Sequence, residues 1–78
     1  MENKIKEIMS KVFSVKVDEI NPDTSPDTVE GWDSLQHMNF ILSLEEEFGV
    51  EFSDEQINKM ITFKEITIVL QELLRGKD

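Results

Sequence analysis

The sequence predicts an all-α chain: a small up-and-down four-helix bundle, three main helices plus one short one, with a long loop between the first and second. Three observations predict it. Apolar residues recur at helical spacing in separate stretches. Patterns that cap helix starts precede the later ones, at Ser53–Gln56 and Thr62–Glu65. Both prolines, Pro22 and Pro26, fall in the one stretch left between the first two periodic segments.

In residues 2–14, Ile5, Ile8, Met9, Val12 and Phe13 paint one face of a helix. Glu2 near its start and Lys11 near its end suit the helix dipole. The following stretch, SVKVDEINPDTSPDTVEGW, is a loop, because each proline biases the residue before it away from helix. Val15, Val17, Ile20, Val29 and Trp32 are expected to lie against the core. A structureless loop of this length is unusual in a small domain and is often functional.

The second helix is expected to begin at Asp33 or Ser34 and to end before Gly49, a natural left-handed cap. Asp33 is placed to accept from the amide of Leu35 or Gln36, with Gln36 completing a capping box. Leu35, Met38, Ile41, Leu42 and Phe48 are the expected buried stripe, widened by Phe40 and Leu44. Val50–Phe52 reads as extended. Ser53 opens a short third helix reaching about Met60. Thr62 opens the last, whose Ile66, Val69, Leu70, Leu73 and Leu74 form an apolar face. Gly76 and charged residues end the chain.

Seventy-eight residues make one domain, 1–78. A chain this short buries only about 60% of the surface its unfolded form exposes, which leaves little for a deep cavity. With no cysteine there is neither a disulfide framework nor a thiolate metal site, as suits a reducing cytosol. Net charge is 8 − 17 = −9. It is uneven: residues 1–16 hold four lysines and two glutamates, whereas 17–58 hold twelve acidic residues and no Lys or Arg. Such a block draws cationic partners and repels polyanions, so nucleic acid is excluded as a partner. No apolar run reaches the length of a membrane span, and the N-terminus lacks a signal peptide's apolar stretch. The chain reads as a cytoplasmic monomer that does not insert into membranes.

The stretch EGWDSLQHM (30–38) carries the chemistry. A serine directly after an aspartate at a helix start is either plain capping or an attachment point. A hydrolase reading of Ser34 with His37 fails: a small helical bundle offers poor ground for a nucleophile, base, orienting group and oxyanion hole in one dry site. His37 is then expected to face solvent. Asp23, Ser25 and Asp27 alternate as in a calcium loop, but the sixth position is Thr28 and the twelfth Ser34, where glycine and a bidentate carboxylate are needed. Glu45, Glu46 and Glu47 oppose the dipole at the end of the second helix, at a cost of a few tenths of a kcal/mol each. They suit either a solvated face or partner binding.

Taken together, Asp33-Ser34-Leu35 opening a helix that ends in Leu44-Glu-Glu-Glu-Phe48, after a long proline-bearing loop, resembles the acyl carrier protein family over nearly the whole chain. The resemblance implies a carrier and not an enzyme. Ser34 would hold 4′-phosphopantetheine, installed from coenzyme A by a phosphopantetheinyl transferase, and an acyl group would ride on it as a thioester. Asp33, Glu45 and Glu46 match charged partner-recognition positions, and Leu35 and Met38 apolar ones. These would meet basic docking patches on acyl-loading and acyl-accepting enzymes. If the arm carries a long acyl chain, that chain could enter between helices, where such bundles site ligands, with Met38, Ile41, Leu42 and Met60 either lining the space or, each on its own, simply packing the core. Gln36 and Asn39, with His37 between them, stand where housekeeping carriers of fatty acid synthesis usually carry further acid, and Gly31-Trp32 is also unlike them. The chain is thus more similar to specialised carriers of lipid, polyketide or surface-glycan pathways. A peptidyl carrier of a nonribosomal pathway is the nearer alternative, and an unmodified acidic interaction module the one from another class.

Overall fold

Apolar periodicity and side-chain caps set four helices: α1 (Glu2–Phe13), α2 (Ser34–Phe48), α3 (Asp54–Lys59) and α4 (Phe63–Arg75). The computed structural model describes residues 2–76, so the expected charged end at Lys77 and Asp78 lies outside the described residues. No strand occurs among them. The first helix stops one residue earlier than its pattern suggests, because Ser14 turns left-handed at φ 56°. Gly49 ends α2 with φ 64°, the region that costs glycine least.

Three helices begin on a side-chain cap. Asp33 Oδ1 accepts from the Gln36 amide at 2.8 Å. Ser53 Oγ accepts from the Gln56 amide while Gln56 Oε1 accepts from the Ser53 amide, a complete capping box. Thr62 Oγ1 accepts from the Glu65 amide at 3.1 Å. The box expected at α2 is only half formed. Gln36 turns to its own helix face, where its Oε1 accepts from Asn39 Nδ2 at 2.7 Å.

The long loop is not structureless. It holds a single 3-10 turn at Val17–Glu19 and a chain of short turns. Its anchor is α4: the amides of Phe63 and Lys64 donate to the carbonyls of Thr24 (3.0 Å) and Pro22 (3.1 Å). Those amides have no partner within their own helix, so the loop satisfies donors that a helix start always leaves open. Thr24 is buried at the anchor, and its Oγ1 accepts from the Asn21 amide. As expected, Ile20, Val29 and Trp32 are buried and Val15 is partly so; Val17 instead faces solvent.

One core joins all four helices to the loop. Ile5, Met9, Phe40, Leu44, Met60, Ile66 and Leu70 are fully enclosed at its centre. Its radius of gyration, 11.5 Å, equals the value of about 11.5 Å for a folded chain of this length. Phe13 stacks on Trp32 with ring centroids 4.7 Å apart and planes at 19°. Gly31 makes that stack possible, since a β-carbon there would lie 2.6 Å from the Phe13 carbonyl oxygen.

The α2 stripe requires correction. Phe40, Ile41 and Leu44 are buried and Phe48 is half-buried, but Leu35, Met38 and Leu42 are 73%, 44% and 57% exposed. The helix carries two apolar faces. One is centred on residues 37, 40, 41, 44 and 48, and the other on 35, 38 and 42. They lie roughly 135° apart at 3.6 residues per turn. Only the first meets the core. Met38 and Leu42 therefore stand on the exposed face, whereas Ile41 and Met60 are fully packed.

Gly31→Ala should destabilise the fold by about 1–3 kcal/mol, the usual cost of forcing an atom into a packed site. Gly76→Ala should change little, because its nearest heavy atom lies 3.7 Å from the added carbon. Urea unfolding followed by circular dichroism checks both.

Candidate functional site

Ser34 is the first residue of α2, and Asp33 fixes where that helix begins. Asp33 caps through its carboxylate to the Gln36 amide and through its carbonyl to the His37 amide at 2.8 Å. This leaves the amides of Ser34 and Leu35 unbonded among the described residues. Ser34 is exposed, and no hydrogen bond engages its hydroxyl. A primary alcohol thus projects from a helix start whose first two amides are free. An ester phosphate at that oxygen would meet free N–H donors and the positive end of the helix dipole.

Beside Ser34 lies an open depression of about 370 Å³, lined by Pro26, Trp32, Asp33, Ser34, His37 and Ile61. The loop anchor explains how these distant residues meet. Tying Pro22 and Thr24 to the first turn of α4 brings Pro26 toward Ile61, which immediately precedes that helix's cap.

His37 does not face solvent as the sequence suggested. It is half-buried and holds three segments together. The Trp32 indole Nε1–H donates to His37 Nδ1 at 3.0 Å, and His37 Nε2 lies 3.2 Å from the Ile57 carbonyl. With Nδ1 accepting, Nε2 carries the proton and donates to that carbonyl. The imidazole thus bridges the loop before α2, α2 itself and the end of α3. Its ring also lies nearly parallel to the indole, 6.0 Å away at 22°. Both of its bonding nitrogens are engaged structurally, and no bond links it to Ser34. A Ser34–His37 hydrolytic pair is not assembled.

The candidate recognition residues separate into two roles. Leu35, Met38 and Glu46 all face solvent on one side of α2. Leu42, assigned to the core on sequence, joins them: 35, 38, 42 and 46 follow the i, i+3, i+7, i+11 rhythm of a single helix face. Glu45 differs. It is half-buried, and its Oε2 accepts from the Phe52 amide at 2.9 Å, tying the segment before α3 to α2. Nothing local in the sequence marks that bond, because its partner is seven residues ahead.

The residues present fit a phosphopantetheine group: an exposed unbonded hydroxyl, two free amides for the phosphate and a shallow depression alongside. The comparisons agree. The family model described as phosphopantetheine attachment site matches residues 3–70. The acyl carrier protein of Buchnera aphidicola subsp. Schizaphis graminum is 40% identical over 62 residues, covering 80% of this chain and 78% of that protein. The acyl carrier protein of Nitratidesulfovibrio vulgaris is 35% identical over 65 residues, covering 83% and 86% respectively. Among solved structures, the solution structure of holo acyl carrier protein from Geobacter metallireducens superposes with a TM-score of 0.86 at 26% identity, covering 97% of this chain and 87% of that one. The chain belongs to the acyl carrier protein family, whose members are phosphopantetheine-bearing carriers and not enzymes.

Proposed function

We propose that Ser34 Oγ is the attachment point of 4′-phosphopantetheine and that residues 1–78 act as one carrier domain, a cytoplasmic monomer. The observation that carries this is the unbonded, exposed Ser34 hydroxyl at the α2 start, beside the free amides of Ser34 and Leu35. When bound, the group supplies a terminal thiol that holds acyl cargo as a thioester. Ser34 anchors it, the two amides receive its phosphate, and Asp33 fixes the helix start that presents all three. A phosphopantetheinyl transferase would install it from coenzyme A.

The exposed face of α2 is the docking surface in this reading. Leu35, Met38 and Leu42 form an apolar ridge that ends at Glu46. Contiguous exposed apolar side chains on a small monomer favour an interaction role. The first half of the helix adds no charge after Asp33: Gln36 pairs with Asn39, and His37 is committed to Trp32 and Ile57. This supports partner enzymes whose basic patch meets the two ends of α2 rather than its whole length, and hence a specialised lipid, polyketide or surface-glycan pathway.

Incubating the protein with coenzyme A and a broad-specificity transferase, then measuring intact mass, tests the attachment. One phosphopantetheinyl group is expected on the wild type and none on Ser34→Ala, whose stability should stay within about 0.5 kcal/mol because the side chain is exposed. No gain from a folded protein, with a working transferase control, would leave an unmodified acidic docking module as the better account.

Glu45 and Glu46 should separate in two measurements. Glu46→Lys should weaken transferase binding about 5-fold, the worth of one exposed charge contact, with the effect shrinking as salt rises. Glu45→Ala should instead cost stability, about 1–3 kcal/mol, by leaving the Phe52 amide without its acceptor. Salt-independent binding would remove the electrostatic part of this reading.

A further inference from the structure

The first turn of α2, residues 34–37, carries Ser34 and yet has no apolar anchor. Ser34 and Leu35 are exposed, Gln36 and His37 are half-buried, and the first buried residue of the helix is Phe40. A helix start with so little packing frays readily, since its leading amides lack partners within the helix. The cap alone does not tie this turn to the rest of the fold. Asp33 receives the amides of Gln36 and His37, both within the same turn, and Gln36 and Asn39 bond to each other along the helix. Among the described residues of the turn, only His37 makes a side-chain hydrogen bond beyond the cap and the helix. Its Nδ1 accepts from the Trp32 indole N–H at 3.0 Å, and its Nε2 donates to the Ile57 carbonyl, 3.2 Å away. Both ends of this bridge are anchored. Trp32 is buried against the ring of Phe13, and the Ile57 carbonyl also accepts from the amide of Met60, which is fully enclosed.

We infer that His37 is a positioning residue for attachment at Ser34: it pins the first turn of α2 to Trp32 on one side and to α3 on the other. The inference rests on Ser34 being the attachment residue. His37 touches neither the Ser34 hydroxyl nor any reacting atom, and it acts only through the backbone of the turn they share. A neutral imidazole suits this task because it offers one acceptor and one donor on separate ring nitrogens. One side chain can thus meet an N–H from the loop and a carbonyl from α3. Each bond is modest on its own, but the fraying of a single turn is a local event on the same small energy scale. A frayed turn scatters the serine and its two free amides, so only the pinned fraction is ready for a transferase. Apparent affinity then falls by that fraction, while the step within the bound complex is unchanged. Loss of the pin should therefore raise KM and leave kcat in place.

The test measures loading kinetics with coenzyme A and a broad-specificity transferase, read by intact mass, beside amide hydrogen exchange of the unmodified protein by NMR. His37→Leu removes both bonds at similar bulk. Its KM as carrier substrate should rise about 5-fold or more, with kcat kept within about 2-fold. Exchange at the amides of residues 36 and 37 should quicken by a similar factor, with Phe40 and Leu44 unaffected. His37→Asn places an acceptor oxygen where Nδ1 stood, and His37→Gln an N–H donor where Nε2 stood. Each should recover part of the loss, and the single tryptophan's indole N–H signal should stay near its wild-type position only in His37→Asn. Ile66→Val thins the core away from this turn and should leave KM unchanged. Wild-type KM in His37→Leu, or an equal rise in Ile66→Val, would overturn the positioning role and leave the attachment reading intact. Should His37→Leu fail to fold, the other two His37 variants decide: intermediate KM values support the pin and wild-type values overturn it. Failure of the wild type to load would instead remove the attachment reading on which the inference rests.

Discussion

The architecture around Ser34 depends on two backbone hydrogen bonds far from it in sequence. A helix start leaves amides without acceptors, and a long loop leaves carbonyls without donors. Here each supplies what the other lacks: Phe63 and Lys64 donate to Thr24 and Pro22. Each bond contributes only about 1 kcal/mol net, but leaving the buried Thr24 and Phe63 groups unpaired would cost as much as about 3. That asymmetry makes the loop path strongly preferred. With it fixed, Pro26 faces Ile61, and the turns through Val29 and Gly31 deliver Trp32 onto Phe13.

The α2 helix has to satisfy two solvents at once. Its core face is continuous with the rest of the interior through Phe40, Ile41 and Leu44. Its other face leaves Leu35, Met38 and Leu42 between 44% and 73% exposed, which forgoes roughly half of the 1.5–3 kcal/mol that full burial of each side chain would contribute. A sequence selected for stability alone would place polar residues there. Local rules are broken most often where function needs them broken, and here the breach begins beside Ser34 and runs a little over two turns along the helix. In the proposed reading, attachment point and docking ridge share one rigid element, so a partner that recognises the ridge would also find the serine at a fixed distance.

Much of this was legible from the residues. Spacing located all four helices to within about one residue, and Asp33, Ser53 and Thr62 named their own caps. Gly49 fulfilled its left-handed role. Side-chain destinations on α2 were less legible, because an apolar pattern records which residues avoid water and not how many faces they occupy. Leu35, Met38 and Leu42 were folded into one stripe with Ile41, when the helix has two. His37 and Glu45 escaped for another reason. Their partners are Trp32, Ile57 and Phe52, up to twenty residues away, and nothing in local sequence specifies a contact that tertiary packing creates. Of the site itself, the Asp33–Ser34 helix start was readable and the recess was not. The recess exists only once the loop is anchored to α4.

The charge around Ser34 poses an apparent conflict that magnitudes resolve. The chain carries −9 before any modification, and Asp33 adjoins the oxygen that would bear another anion. Two unit charges about 6 Å apart in water repel by roughly 0.7 kcal/mol, and salt reduces this further. The free amides and the helix dipole return about 0.3–1 kcal/mol for an anion at the same end. These nearly cancel, so the phosphate is neither strongly held nor expelled. Asp33 also contributes about 0.5–2 kcal/mol as a cap, which offsets a repulsion of this size. Asparagine would cap about as well without the charge, so stability alone does not account for an aspartate at this position. The excess negative charge falls beside Ser34 and at Glu46, the two ends of the exposed ridge, where a cationic partner would meet it.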